Sequence, residues 1–160
     1  MNIINFIQTK SVLLFSVIFI TFAFAQDPNW ADEFVAQDFQ YSATLTAATV
    51  QVDGVTYESG TLAAFSDGEL RGVSFIISNP VPNQPDVFEI SIWSNSTTGE
   101  ISFKFYDDAI GFVVDLDETL TFEVDGLYGS YPAPFVASGI APDCEGDCDD
   151  LDADDICDDV

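Results

Sequence analysis

Histidine is absent from this chain of 160 residues, and cysteine occurs only at Cys144, Cys148 and Cys157. A catalytic triad, an imidazole metal site and thiol catalysis are therefore excluded before residue 144 for want of the necessary groups. Carboxylates remain, but a glycosidase needs two of them facing each other across a cleft, and the adjacent Asp107 and Asp108 point in opposite directions on a strand. We predict that the chain is not an enzyme. The alternative is an enzyme whose two catalytic carboxylates are distant in sequence and are brought together by the fold.

Basic residues are also scarce, because Lys10, Arg71 and Lys104 stand against 28 acids and give a formal net charge of −25. This charge repels nucleic acid, keeps the protein soluble and suits the binding of cations. Ten of the acids fall between Asp143 and Asp159, which leaves 18 in the preceding part. The sequence therefore predicts a folded domain joined to an acidic tail at residues 143–160.

The first 25 residues hold no acid, and Lys10 is followed by an apolar run at residues 12–24 that ends in Ala23-Phe24-Ala25. This order is typical of a secretory signal peptide. The run is shorter than the ~20 residues that a spanning helix needs, which disfavours a membrane anchor. We predict that residues 1–25 are removed, that the mature chain begins at Gln26 without a membrane span, and that the protein is secreted or held at the cell surface.

Short alternating runs rich in Val, Ile, Phe, Thr and Tyr fill the sequence from Phe39 to Val124. They predict β-strands, and no helical period of useful length competes with them. Asp53-Gly54 and Asp67-Gly68 fit two-residue hairpin turns, which need positive φ. About eight strands with one apolar face each predict an all-β fold, an antiparallel β-sandwich over residues 26–131, with a closed barrel as the alternative.

Three prolines, Pro132, Pro134 and Pro142, follow this region. Because proline cannot donate a hydrogen bond to a β-ladder, we expect residues 132–142 to form a linker and not a central strand.

The best-defined hairpin is predicted at residues 87–106, with Ile90 opposite Phe103 and Glu89 opposite Lys104. This register places apolar side chains on one face and polar ones on the other, whereas a slip by one residue mixes them. The hydrophobic pattern therefore specifies it strongly.

In that register Trp93 and Tyr106 lie on the wetter face with Lys104 between them. Exposed aromatic rings with polar neighbours can stack on sugars, so we take these three residues as a candidate ligand-binding site. The alternative is that a neighbouring segment covers the rings, for which Trp30 or Phe34 of the N-terminal arm is available.

Arg71 closely follows the Asp67-Gly68 turn, which places Glu69 on the same face two residues away. We predict a structural ion pair. Recognition of an anionic ligand by Arg71 is the alternative, and the 18 surrounding acids disfavour it.

Four motifs, LAAFSDGELRGV at residues 62–73, WSN at 93–95, GEISFKFYD at 99–107 and YGS at 128–130, resemble a β-sandwich module of secreted surface proteins of Bacteroidota. The motif DLDADDICDD at residues 150–159 resembles the start of a thrombospondin type 3 repeat, which such proteins often carry after their globular modules. The resemblance implies a location and an architecture, because the sandwich family has no established activity.

Asp150, Asp152, Asp154 and Asp158 follow the spacing D-x-D-x-D-x-x-x-D, in which alternate oxygens can wrap one Ca²⁺ ion. The pattern departs from its family where Asp155 replaces the glycine of the sharp turn, and the twelfth loop position falls beyond the chain. We therefore predict weak calcium binding by this loop alone. A solvated acidic linker is the alternative.

An odd number of cysteines in an exported chain predicts an intermolecular disulfide or a partner outside the chain, and we expect the acidic repeat to continue past Val160. The predicted function is a non-catalytic structural or adhesive module of an exported surface protein with a calcium-binding, stalk-like tail. The alternative is a carbohydrate-binding module that uses exposed aromatics. The expected partner is an extracellular glycan or a surface protein.

Overall fold

The computed structural model describes residues 28–107 and 111–141. Three predicted features lie outside the described residues: the signal peptide at residues 1–25, the three cysteines, and the calcium ligands Asp150, Asp152, Asp154 and Asp158.

Strands make up most of the described chain. The short helix α1 (Trp30–Glu33) and a 3-10 turn (Ala36–Asp38) precede them. The strands are β1 (Tyr41–Val52), β2 (Val55–Tyr57), β3 (Thr61–Ser66), β4 (Glu69–Ile77), β5 (Val87–Ser94), β6 (Thr98–Tyr106), β7 (Val113–Asp115), β8 (Leu120–Glu123), β9 (Leu127–Tyr128) and β10 (Phe135–Gly139). The prediction of an all-β fold is confirmed, with ten described strands where about eight were predicted.

One curled sheet contains these strands in the order β10-β1-β5-β4-β3-β6-β7, while β2 and β9 also pair with β1, and β8 pairs with β6. The pairing is antiparallel apart from β10 and β9, which run parallel to β1. Strand β4 belongs to two layers, because residues 69–73 pair with β3 and residues 74–77 pair with β5. The sheet curls through β4, so its two halves face each other as the layers of a predicted sandwich do.

The core lies between the two layers. Its largest contributions from β5 and β6 are six side chains that are at most 1% exposed: Phe88, Ile90, Ile92, Ile101, Phe103 and Phe105. The rings of Phe88 and Phe105 meet edge to face across the core, with centroids 5.8 Å apart. Each such side chain contributes roughly 1.5–3 kcal/mol through burial, which makes this interface the main source of stability.

The predicted hairpin between β5 and β6 is wrong. Ile90 pairs with Leu45 of β1 and Ser74 of β4, whereas Phe103 pairs with Ala64 of β3. Likewise, Glu89 pairs with Phe75 of β4, and Lys104 pairs with Ala63 of β3 and Asp115 of β7.

The reason is that the chain crosses from one layer to the other between β5 and β6. Alternation correctly identified which side of each strand is apolar. The same alternation is expected whether β5 and β6 are neighbours in one layer or lie in two layers that pack against each other. In this chain they lie in two layers, with their apolar faces toward each other.

The predicted linker is also corrected, because Phe135–Gly139 forms the edge strand β10, which pairs with β1 from Ala48 to Val52. The domain therefore continues past residue 131. Pro132 and Pro134 precede the strand and Pro142 follows it, so no proline removes a donor from the ladder.

Both predicted Asp-Gly turns are confirmed. Asp53 and Gly54 have φ values of 52° and 77° and join β1 to β2, and Asp67 and Gly68 have φ values of 53° and 76° and join β3 to β4. Positive φ at both central residues is the backbone of a type I′ hairpin turn, which matches the twist of the flanking strands.

The outer edges of the curled sheet meet at an edge clamp formed by Asp117, Glu118 and Ser138. The Asp117 N–H donates to the carbonyl oxygen of Ser138 at 2.7 Å. The Glu118 carboxylate accepts hydrogen bonds from the Ser138 N–H at 2.5 Å and the Ser138 hydroxyl at 2.7 Å. Strand β10 is therefore held on one side by β1 and on the other by the segment after β7.

Candidate functional site

The N-terminal arm, residues 28–40, packs on the outer face of the layer that contains β3 and β6. Trp30, Ala63 and Tyr106 form a second apolar cluster there, separate from the main core. The Trp30 ring meets Phe65 edge to face with centroids 5.7 Å apart, and Tyr106 is left only 6% exposed. The arm therefore covers Tyr106, as the alternative interpretation of the sequence proposed.

The three candidate ligand-binding residues do not form one surface. Trp93 is half-buried on β5, where it pairs with Ser42 of β1, whereas Lys104 and Tyr106 lie on β6 in the other layer. The crossing between β5 and β6 separates them. The structure therefore lacks the predicted platform of two exposed rings with a lysine between them.

Lys104 has partners on its own layer. Its ammonium group forms an ion pair with Asp115 of the neighbouring β7, and it lies 5.9 Å from the centroid of the Phe65 ring. These contacts fix Lys104 against the sheet instead of directing it toward Trp93.

The predicted Arg71–Glu69 ion pair is confirmed, with Arg71 Nη2 at 2.8 Å from Glu69 Oε2. The Arg71 side chain is 13% exposed, and its guanidinium lies 5.1 Å from the centroid of the Phe39 ring. Its Nε is buried without a hydrogen-bond partner among the described residues. Such a donor is costly to leave unpaired, which distinguishes Arg71 from a surface arginine.

A β-bulge directs Arg71. Ala64 of β3 pairs with Gly72, and the next residue, Phe65, pairs with Leu70, so Arg71 is the extra residue on β4. A bulge re-aims a side chain and bends its strand, and bulges are frequent beside functional sites.

A cavity of about 460 Å³ opens beside Arg71, between the β3–β4 turn and the crossing from β5 to β6. We call it the Arg71 cavity. It is lined by Ser66, Asp67, Arg71, Ser94, Asn95, Ser96, Thr98, Gly99, Glu100 and Ser102. Nine of the ten lining residues have polar side chains, and five of these carry a hydroxyl group.

The crossing that forms one wall of this cavity is held by hydrogen bonds. The Ser96 N–H donates to Ser94 Oγ at 3.0 Å. The Asn95 side chain accepts from the Gln40 N–H at 3.0 Å and donates to the carbonyl oxygen of Asp38 at 3.1 Å. The wall is thereby tied to the N-terminal arm, which restricts movement on the Asn95 side of the cavity.

The sequence does not predict this cavity, because the pattern around residues 95–98 indicates a hairpin turn between β5 and β6. One signal was present in Gly72, a glycine inside a strand pattern, which often marks a bulge or a close approach of two backbones. A Cβ added at Gly72 would lie 2.2 Å from the carbonyl oxygen of Ser91, so β4 and β5 do approach closely there.

The described ranges, 28–107 and 111–141, contain no group of three or more His, Cys, Asp or Glu side chains arranged to hold a metal ion. In the same ranges, no helix has the length and apolar character needed to cross a membrane. No protein-family model, curated protein or solved structure matches this chain. The resemblance to a Bacteroidota module and to a thrombospondin type 3 repeat therefore stays a prediction.

Proposed function

We propose that this chain is a non-catalytic structural or adhesive module of an exported surface protein, acting outside the cell. The N-terminal sequence pattern supports export, and the absence of histidine supports a role other than catalysis. Both bases outside the first 25 residues, Arg71 and Lys104, form ion pairs with acids of their own layers. These pairs favour a structural use of the two cations.

The observation that carries the proposal is the parallel pairing of β1 with β10. The chain enters β1 at Tyr41 and leaves β10 at Gly139, which lies beside Val52 at the far end of β1. Tension on the two ends of the domain therefore acts along the strands in opposite directions. The hydrogen bonds between Ala48–Val52 and Phe135–Gly139 are loaded together in shear, instead of one after another.

This arrangement suits a module that transmits force between a cell surface and whatever the protein holds. Single-molecule pulling tests it. We expect the mature chain to unfold at a several-fold higher force when it is pulled from its N-terminal arm and Ala141 than when it is pulled from Val55 and Ala141. Val55 pairs with Val52 at the end of β1 where β10 also ends, so the second pair of handles peels β10 away bond by bond.

Equal unfolding forces in the two pulling directions would contradict the mechanical role. Pulling from the arm first detaches Trp30 from its cluster, so the force compared is that of the later event, in which the β-sheet itself unfolds.

The proposal also includes the acidic tail. In it, the tail acts as a stalk that Ca²⁺ stiffens by binding to Asp150, Asp152, Asp154 and Asp158. Its support is the spacing of these residues. The partner that we propose for the module is an extracellular glycan or a surface protein. A glycan cannot be held on the predicted platform of Trp93 and Tyr106, because Tyr106 is buried and Trp93 lies in the other layer.

A further inference from the structure

Hydrogen-bonding groups of three kinds converge on the Arg71 cavity. Arg71 supplies N–H donors, Asp67 and Glu100 supply carboxylate acceptors, and the serine and threonine hydroxyls around them can both donate and accept. A ligand that satisfies all three must itself carry donors and acceptors at short intervals. Vicinal hydroxyl groups meet this requirement, because each can accept from an arginine N–H while donating to a carboxylate.

Charge narrows the class of ligand. Glu69 pairs with Arg71, and Asp67 and Glu100 line the cavity together with it, so three carboxylates accompany one guanidinium at this site. This surplus of negative charge repels an anionic ligand. A metal cation is disfavoured for a different reason, because the described residues include no group of three acids arranged to hold a metal ion. A neutral ligand needs neither arrangement and can still use the charged groups, whose hydrogen bonds are stronger than those between neutral groups.

The position of Arg71 supports a ligand contact beyond its ion pair. Arg71 lines the cavity, whereas Glu69 engages its Nη2 and the Phe39 ring lies against the guanidinium. The Nε is buried and has no partner among the described residues, so it reports on the site without being open to a ligand. An ion pair with Glu69 does not need a β-bulge. Arg71 nevertheless stands at one, and bulges are frequent beside functional sites. An acceptor oxygen brought into the cavity can accept from the N–H groups of Arg71 that line it.

The volume and rigidity of the cavity fit a small ligand. At about 460 Å³ it falls within the range of roughly 300–1,000 Å³ that is usual for ligand sites. Its wall is held to the arm through Asn95, so little conformational freedom is lost on binding.

We propose that the Arg71 cavity binds a neutral saccharide through its hydroxyl groups. The proposal rests on the proposed function, since it gives an adhesive module a glycan to hold, and it moves glycan recognition from the aromatic residues to a polar cavity at one end of the sheet. Arg71, Asp67 and Glu100 make the charged hydrogen bonds, and the hydroxyls of Ser66, Ser94 and Ser102 complete the site.

Nuclear magnetic resonance gives a direct test, because Arg71 is the only arginine of the chain and contributes a single side-chain Nε–Hε signal. The probes are neutral hexasaccharides of glucose, xylose, mannose and galactose, each added to the mature protein up to millimolar concentration. We expect at least one of them to shift the Arg71 Nε–Hε signal and the Asn95 side-chain amide signals saturably. Oligogalacturonate, the matched anionic saccharide, is expected to leave both unchanged.

Two variants locate the binding. Glu100→Gln keeps the shape of an exposed side chain while removing a charged acceptor, and we expect it to weaken binding about tenfold. Glu89→Gln makes the same change on the outward face of β5, away from the cavity, and should bind as the unchanged protein does.

The proposal is overturned if no neutral probe moves the Arg71 signal, if oligogalacturonate binds more tightly than every neutral probe, or if Glu100→Gln and Glu89→Gln bind equally well. None of these results bears on the pulling experiment, which depends on β1 and β10 alone. A failed saccharide site and a failed mechanical role are therefore distinguishable.

Discussion

At the scale of single residues, Glu118 joins two parts of the sheet that are distant in sequence. Burial by itself raises the pKa of the Glu118 carboxyl, but hydrogen bonds donated by the Ser138 N–H, the Ser138 hydroxyl and the N–H of Glu118 itself outweigh it, so the pKa is lowered from the ordinary value of 4.5. The charged form is therefore the one that the folded protein prefers.

We expect Glu118→Gln to lower the free energy of unfolding by about 1 kcal/mol at pH 7, because a charge-assisted acceptor at a half-exposed position is lost. A lowered folded-state pKa stabilises the protein above the unfolded-state value near 4.5, and this contribution is lost as the pH falls through the folded-state value. The variant and the unchanged protein should therefore converge at low pH. Urea unfolding at pH 7 and pH 3 measures both differences.

Glu123→Gln is the matched control for this change, since Glu123 is exposed on β8 and its replacement should leave the stability unaltered. A Glu118→Gln variant as stable as this control at pH 7 would show that the edge clamp contributes nothing.

Residue-scale features were predictable where the sequence neighbours decide them. The Arg71–Glu69 pair follows from a turn whose two residues are visible in the sequence. The bulge that makes Arg71 line a cavity depends on how β3 and β4 align, and the Glu118 contact depends on Ser138, 20 residues away. No local sequence pattern indicates either the alignment of β3 with β4 or the contact between Glu118 and Ser138.

At the scale of the element, the Asp-Gly turns require a backbone that most residues resist. Gly68 has φ of +76° and no atom within 4 Å of an added Cβ, so backbone strain is the whole cost of Gly68→Ala. We expect a loss of about 1–2 kcal/mol in the free energy of unfolding, measured by chemical denaturation.

Gly99→Ala provides the comparison. Its added Cβ would meet Ser66 Oγ at an ordinary 3.7 Å, and its φ lies outside the left-handed region, so its cost should be well under 1 kcal/mol. Equal losses in the two variants would contradict the need for positive φ at Gly68.

The strands themselves show where element-scale prediction stops. Alternation identified the buried side of β5 and β6 because a side chain's burial depends on its own strand's period. Alternation could not identify the partner of each strand. Ile90 and Phe103 are expected to be buried both in a hairpin and in two layers that face each other, so their burial does not distinguish the two arrangements. Strand β10 was not predicted because prolines flank it on both sides. Its own five residues contain no proline.

At the scale of the whole molecule, we propose separate roles for the acidic tail and the folded domain. The spacing of Asp150, Asp152, Asp154 and Asp158 predicts that Ca²⁺ compacts the tail, since without a cation these carboxylates repel one another. We expect calcium-dependent heat in isothermal titration at millimolar metal, carried out on a chain that includes the twelfth loop position. The heat should be lost in an Asp152→Ala, Asp154→Ala variant.

Asp147→Ala, which removes a tail carboxylate outside the spacing, should retain this heat. If the double variant and Asp147→Ala give the same heat, or if no heat depends on calcium, the tail is a solvated acidic linker.

The curled sheet also determines how the molecule can come apart. In a sandwich of two independent sheets the layers can slide or separate along the whole of their interface. Here β4 joins the layers as a continuous hinge, and the opposite side is fastened at Asp117, Glu118 and Ser138. The free edges of the curled sheet, β10 and the segment after β7, meet at this clamp, so we expect the barrier to water entering the core to be lowest along that seam and to depend on these few hydrogen bonds.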